Sequence, residues 1–144
     1  MNYNNGEKYE GSFVAGNRQG YGRHTFKNGS VYEGQWQNNE QTGKGKFYGV
    51  DGLVYEGDWN QGKKHGIGSQ KTPNGEIFEG NFINGEIKGK GKFTWLDKTF
   101  YEGEFDKNSM NGQGVMKYHD NRCYNGLFKD GLMHGYGKFT VLMI

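Results

Sequence analysis

The sequence predicts an all-β fold, an elongated single-layer antiparallel meander of tandem β-hairpins, twisted and curved. Three observations predict it. A 23-residue phrase recurs six times in the 144 residues without insertion or deletion, which marks a repeat architecture. Each copy holds two short stretches of alternating pattern, as strands do. The stretches are divided by Gly- and Asn-containing punctuation at the spacing of hairpin turns.

Counting the leading aromatic as position zero, the copies begin at Tyr9, Tyr32, Tyr55, Phe78, Tyr101 and Tyr124. Residues 1–144 then read as one array: a partial repeat over 1–8, repeats 9–31, 32–54, 55–77, 78–100 and 101–123, and a truncated copy over 124–144. The first strand of each copy carries Glu at position one (Asn125 in the sixth), Gly at position two, and Phe or Trp at position four. Position seven is always Gly or Asn, from Gly16 to Gly131, residues that tolerate the left-handed backbone of a four-residue hairpin loop. The second strand follows, with Gly at positions eleven and thirteen in all six copies. A three-residue loop closes the copy, as in Lys27-Asn28-Gly29 and Pro73-Asn74-Gly75. Asn121 suits that loop's last position. Lys98 does not, so the fourth of these turns is expected to be less well defined.

Closing the loops this way sets position zero opposite thirteen, two opposite eleven, four opposite nine, and fifteen opposite the first residue of the next copy. Alternation then sends nineteen of the 23 aromatics to one face, together with the glycines that make room for them. The other face carries the Glu column. On this register Lys44 lies across from Glu33 and Lys90 across from Glu79, while Arg23, Lys46 and Lys92 flank the Glu of the following copy. Exposed pairs of this kind contribute roughly 0.2–1 kcal/mol each, so they fix register more than stability. With strands about 4.8 Å apart, twelve of them span roughly 55 Å. A mean hydropathy of −1.01 fits a sheet without a thick core, and 16% aromatic content with strict periodicity argues against disorder.

Both ends enter mid-repeat. Gly6 takes the second-turn position of a preceding copy, and the tail Val141, Leu142, Met143 and Ile144 reads as a strand remnant, far too short to span a bilayer. An unpaired terminal strand invites association, which makes a homodimer an expectation.

Tyr32-Glu33-Gly34-Gln35-Trp36 and Tyr55-Glu56-Gly57-Asp58-Trp59, with the Gly-any-Gly step at Gly66 and Gly68 and the turn at Asn74 and Gly75, resemble the MORN repeat. The resemblance covers essentially the whole chain. Lys98, Asn39, Gln70 and Thr72 depart from the pattern. It implies an elongated all-β scaffold, often dimeric, of the kind found in cytoskeletal, ciliary and membrane-contact proteins and as an accessory segment of some lipid kinases.

Nothing in the residues points to an enzyme, a cofactor or a metal. His24, His65, His119 and His134 have no ligand spacing with Cys123, the single cysteine, and His65 and His134 share one slot of the repeat. One cysteine cannot build a disulfide framework, which fits a reducing compartment such as the cytoplasm. The Gly-any-Gly steps do not continue as a dinucleotide fingerprint. Two binding readings remain. In the favoured one, the aromatic Gly-rich face receives a helix or extended segment of a protein partner, with Phe13, Trp36, Trp59, Phe82, Phe105 and Phe128 as anchors beside Tyr32 and Tyr55. In the other, the array docks on anionic phospholipid. A net charge of +2 and a single adjacent basic pair, Lys63-Lys64, fall short of what anionic lipid or nucleic acid asks for.

Overall fold

Left-handed residues punctuate the chain at fixed intervals, and between them lie twelve strands. The computed structural model describes residues 1–141. The strands are β1 (Lys8–Val14), β2 (Asn17–Thr25), β3 (Val31–Gln37), β4 (Glu40–Tyr48), β5 (Val54–Asn60), β6 (Lys63–Lys71), β7 (Ile77–Ile83), β8 (Glu86–Thr94), β9 (Phe100–Asp106), β10 (Ser109–Lys117), β11 (Arg122–Lys129) and β12 (Leu132–Val141). They form one open antiparallel sheet in sequence order. No helix occurs among the described residues.

The first turn of each copy is tighter than the four-residue loop expected. Val14 pairs with Asn17, leaving Ala15 (φ 50°) and Gly16 (φ 81°) as a two-residue loop, and Gln61 and Gly62 repeat it with φ 47° and 77°. Two successive left-handed residues make a type I′ turn, whose twist matches the flanking strands. Position seven therefore needs Gly or Asn, as read, while position six is held left-handed by the turn even in Ala, Gln and Lys.

The register also differs from expectation. Position zero lies opposite fifteen (Tyr9↔His24, Tyr32↔Phe47), and position two opposite thirteen (Gly11↔Gly22, Gly34↔Gly45). Four faces nine as expected (Trp36↔Gln41), so the two stretches are out of step by two residues. A bulge on the second strand absorbs the slip, and position eleven turns it: Gly20 has φ 80° and Gly66 φ 110°. Because the slip is even, every side chain stays on its predicted face. Between copies, fifteen pairs with the next position zero as anticipated (His24↔Tyr32, Phe47↔Tyr55).

The slip redistributes the charges. Lys44 and Lys90 lie opposite Asp58 and Glu104, not Glu33 and Glu79, and Lys44 is ion-paired with Asp58. Arg23 does flank the next Glu, with Nη1 3.0 Å from Glu33 Oε1, and Lys46 reaches Glu56 at 3.8 Å.

The second turns are alike in copies one to five, including the one expected to be poorly defined. Lys98 adopts φ 74°, the Trp95 N–H donates to Thr99 O at 2.8 Å, and Asp97 Oδ1 accepts the Thr99 N–H at 2.9 Å. The Asp97 carboxylate organises the turn from its middle, which offsets the cost of a left-handed Lys. The N-terminus supplies half a repeat: Tyr3 N–H donates to Glu7 O, Gly6 has φ 90°, and Asn2 bridges to Lys8. Val141 ends β12; Leu142, Met143 and Ile144 lie outside the described residues.

Candidate functional site

A single sheet layer can bury side chains only against one another, and the repeat does this with rings and glycines. The ring at position zero lies flat across the glycine at thirteen. A methyl added to Gly22 would stand 2.1 Å from Tyr9 Oη, and one added to Gly114 would stand 2.3 Å from Tyr101 Cε2. Tyr9, Tyr32, Tyr55 and Tyr101 are wholly buried in consequence. Each phenol turns back and donates to the carbonyl three residues on, Tyr32 to Gln35 O at 2.8 Å and Tyr55 to Asp58 O at 2.7 Å. Burial pushes these phenols up, Tyr101 to about 12.

The rings at position four stand edge-on between two position-zero rings. Trp36 meets Tyr9 at 5.5 Å and Tyr32 at 5.2 Å, and Trp59 meets Tyr32 at 5.0 Å and Tyr55 at 5.3 Å. Phe82, Phe105 and Phe128 continue the pattern. Indole Nε1 of Trp36 donates to Gly22 O at 3.1 Å, and that of Trp59 to Gly45 O at 3.0 Å. The result is a zigzag of T-shaped contacts from Phe13 to Tyr124, the arrangement the ring quadrupole favours.

Seven of the eight rings expected to anchor a partner are therefore the core. Trp36, Trp59, Phe82, Phe105, Phe128, Tyr32 and Tyr55 are at most 8% exposed. Phe13 is 38% exposed, because no position-zero ring precedes Tyr9 to cover it. The spacing placed the glycines where they make room for the rings, and the packing bears that out; what the spacing did not give is how completely the rings cover one another.

What a partner can reach on this face lies at positions nine, fifteen and seventeen, apart from the buried His24, Ile87 and Met116. In the first three repeats this layer is mixed and position nine is polar throughout: Arg18, His24 and Phe26, then Gln41, Phe47 and Gly49, then Lys64, Gln70 and Thr72. The Arg18 guanidinium lies 4.6 Å from the Trp36 ring, with Nη1 3.2 Å from His24 Nδ1. Since Arg18 can only donate, Nδ1 is the acceptor and Nε2 carries the proton, 3.4 Å from Glu7 Oε2. Burial, then the Arg18 charge, pushes the His24 imidazole below its ordinary value. Lys64 Nζ sits 5.2 Å from the Tyr55 ring centre and donates to Gln70 Oε1 at 2.6 Å; burial lowers its pKa.

In repeats four to six the same positions are apolar: Ile87, Phe93 and Trp95, then Met110, Met116 and Tyr118, then Met133, Phe139 and Val141. Ile87 and Met116 are buried, Phe93, Trp95, Met110 and Tyr118 are half-buried, and Met133, Phe139 and Val141 are 48–58% exposed. A cleft of about 210 Å³ opens here between Phe93, Trp95, Phe105 and Met110. The register error did not hide this layer, and the signal for it was legible as polarity read down one repeat position.

The opposite face holds an open trough of about 720 Å³, floored by Gly34, Gly45, Gly57 and Gly68 and walled by Glu33, Glu56, Glu79, Lys44 and Lys46. Paired glycines leave that floor bare. The expectation of a site on the aromatic face did not include this trough. Among the described residues no three of His, Cys, Asp and Glu converge as metal ligands. Cys123 is a free, half-buried thiol. The His119–Asp97 pair, 3.2 Å apart, bridges two adjacent second turns.

A family model for the MORN repeat matches the chain at residues 9–31, 32–54, 55–77, 78–99, 101–121 and 124–140. No curated protein matches it significantly.

Proposed function

Since the chain belongs to the MORN-repeat family, whose repeats commonly form protein- or membrane-interaction modules and are generally non-catalytic, we propose that it is a protein–protein interaction scaffold. On this reading it positions partners within a larger cytoplasmic assembly, cytoskeletal or ciliary, through the aromatic face of its sheet. The observation that carries the reading is the graded outer layer. The core ladder is sealed, while the side chains above it offer a surface that changes in polarity along the array. A partner meets that outer layer, with Phe13 as the one accessible ring among the eight named from the sequence.

A homodimer belongs to the same reading. β12 is the last strand of the described sheet, and Leu132, Met133, Tyr136 and Phe139 on it are exposed by 48–92%. Edges of this kind pair unless covered. Cross-linking in cell extract with the purified chain as bait, followed by mapping of contacts by mass spectrometry, tests the scaffold reading. Protein contacts clustered on the aromatic face support it. Salt-sensitive flotation with anionic liposomes, and no clustered protein contacts, would replace it with phospholipid docking.

A further inference from the structure

We propose that the outer layer over repeats four to six is the seat of an amphipathic helix of about 19 residues, whose acidic end lies against Lys64. The proposal rests on the scaffold reading and names the partner's chemistry.

Nine side chains of three kinds, aliphatic, thioether and aromatic, form this layer, and no charged group interrupts them from Ile87 to Val141 at positions nine, fifteen and seventeen. An apolar strip on a sheet this polar marks an interaction surface. Three of the nine are methionines, and two of those, Met110 and Met133, form a row with Ile87. Thioether chains adapt their rotamers to a partner, as at surfaces that receive apolar helices. The cleft between Phe93, Trp95 and Met110 gives one partner side chain a place to enter.

The backbone decides between a helix and a strand. Every strand from β7 to β11 is paired on both sides, so an occupant of the face over them finds no row of free N–H and C=O groups; in this half only β12, at the end of the described sheet, has one. An extended segment pressed on the strip would leave its own backbone groups without partners, which is costly away from water. A helix bonds its backbone internally and offers one apolar stripe.

Charge sets the direction. The row of position-nine residues ends, going toward the N-terminus, at Lys64. Its ammonium has three protons; Gln70 accepts one, the Tyr55 ring lies beside it, and among the described residues no carboxylate is paired with it. Half-buried beside Ile87's repeat, it asks for a carboxylate from whatever covers the strip. From Lys64 on β6 to Met133 on β12 is six strand spacings, about 29 Å, which a helix covers in about 19 residues at 1.5 Å each.

Selection of a random 20-residue peptide library on the 144-residue chain tests this directly. Selected peptides are expected to carry apolar residues at three- and four-residue intervals, with Asp or Glu at one end. Combined Met110→Glu and Met133→Glu should weaken their binding at least tenfold while thermal unfolding shows the sheet intact. Gln41→Glu, at the same repeat position in the polar half, should leave binding within twofold. Lys64→Glu should reverse the preference toward peptides ending in Lys. Peptides without helical periodicity, or peptides whose binding survives the paired Met variant, would overturn the proposal. So would binding to phosphatidylserine vesicles that the Met variants abolish when no peptide is selected, since the strip would then be a membrane surface. Protein cross-links confined to the Glu-lined trough or to repeats one to three would sink the helix seat and leave the scaffold reading standing.

Discussion

Repeats one to three and repeats four to six share a core and differ in what covers it. Beneath, the T-shaped ladder runs unchanged across the join, Tyr55 to Phe82 at 5.0 Å and Phe78 to Phe105 at 5.1 Å. Above, Arg18, Gln41 and Lys64 give way to Ile87, Met110 and Met133. Positions zero, two, four, eleven and thirteen are bound by sterics, because any change there meets a ring or a left-handed backbone. Most residues at positions nine, fifteen and seventeen keep part of their surface open, His24, Ile87 and Met116 being buried. The fold lives in the first set, and individuality of binding in the second.

The largest expected effect tests whether the core is one core. Gly45→Ala and Gly114→Ala place a methyl 2.2 Å from Tyr32 Oη and 2.3 Å from Tyr101 Cε2. Each should destabilise its region by about 3 kcal/mol, the upper part of the overpacking range. Hydrogen exchange should register equal losses in the two halves. A loss in one half alone would break the equivalence. Tyr32→Phe and Tyr101→Phe remove a buried hydroxyl donor to Gln35 O and Glu104 O, and each should cost about 1 kcal/mol in thermal unfolding. Phe78 occupies the same slot without a hydroxyl, and Phe78→Tyr should recover part of that amount.

A smaller effect separates the halves. His24 is buried among Tyr3, Tyr9, Phe26 and Trp36, facing the charges of Arg18 and Glu7. Its imidazole is held below the ordinary value of about 6.5, so the folded state takes up the proton less readily than the unfolded chain. Its contribution is therefore complete above pH 6.5 and falls away as pH drops from there toward the lowered folded value. The first repeat should loosen over that window, seen as faster amide exchange in β1 and β2. His24→Phe, the residue its slot holds in Phe47 and Phe93, should abolish the trend. The smallest effect is Arg23→Gln, which removes the exposed 3.0 Å pair with Glu33. It should cost about 0.2–1 kcal/mol at low ionic strength and nothing measurable in molar salt.

Strand order, both turn positions and the face of every ring were legible, because a strict 23-residue period leaves few ways to fold. The two-residue slip was not. Gly20 and Gly22 look equivalent in sequence, yet one supplies a left-handed bend and the other a bare surface under Tyr9. An even slip hides itself, since it leaves the face pattern untouched. Lys98 misled for a related reason: a propensity argument about one residue overlooked the carboxylate of Asp97 next to it. The rings of the ladder were read as core and, for some of them, as anchors too, because alternation reports which face a side chain takes and only the three-dimensional packing reports what lies over it.

The ladder has a kinetic corollary. Tyr9 touches Phe13 and Trp36, so its partners lie four residues away or one repeat and four residues away, and the same two separations recur to the end of the zigzag. All-β chains usually fold slowly because strands far apart in sequence must find each other before any contact repays the loop closed. Here no ring waits on a distant one. The sheet can start at any hairpin and lengthen strand by strand, faster than its β content alone would suggest.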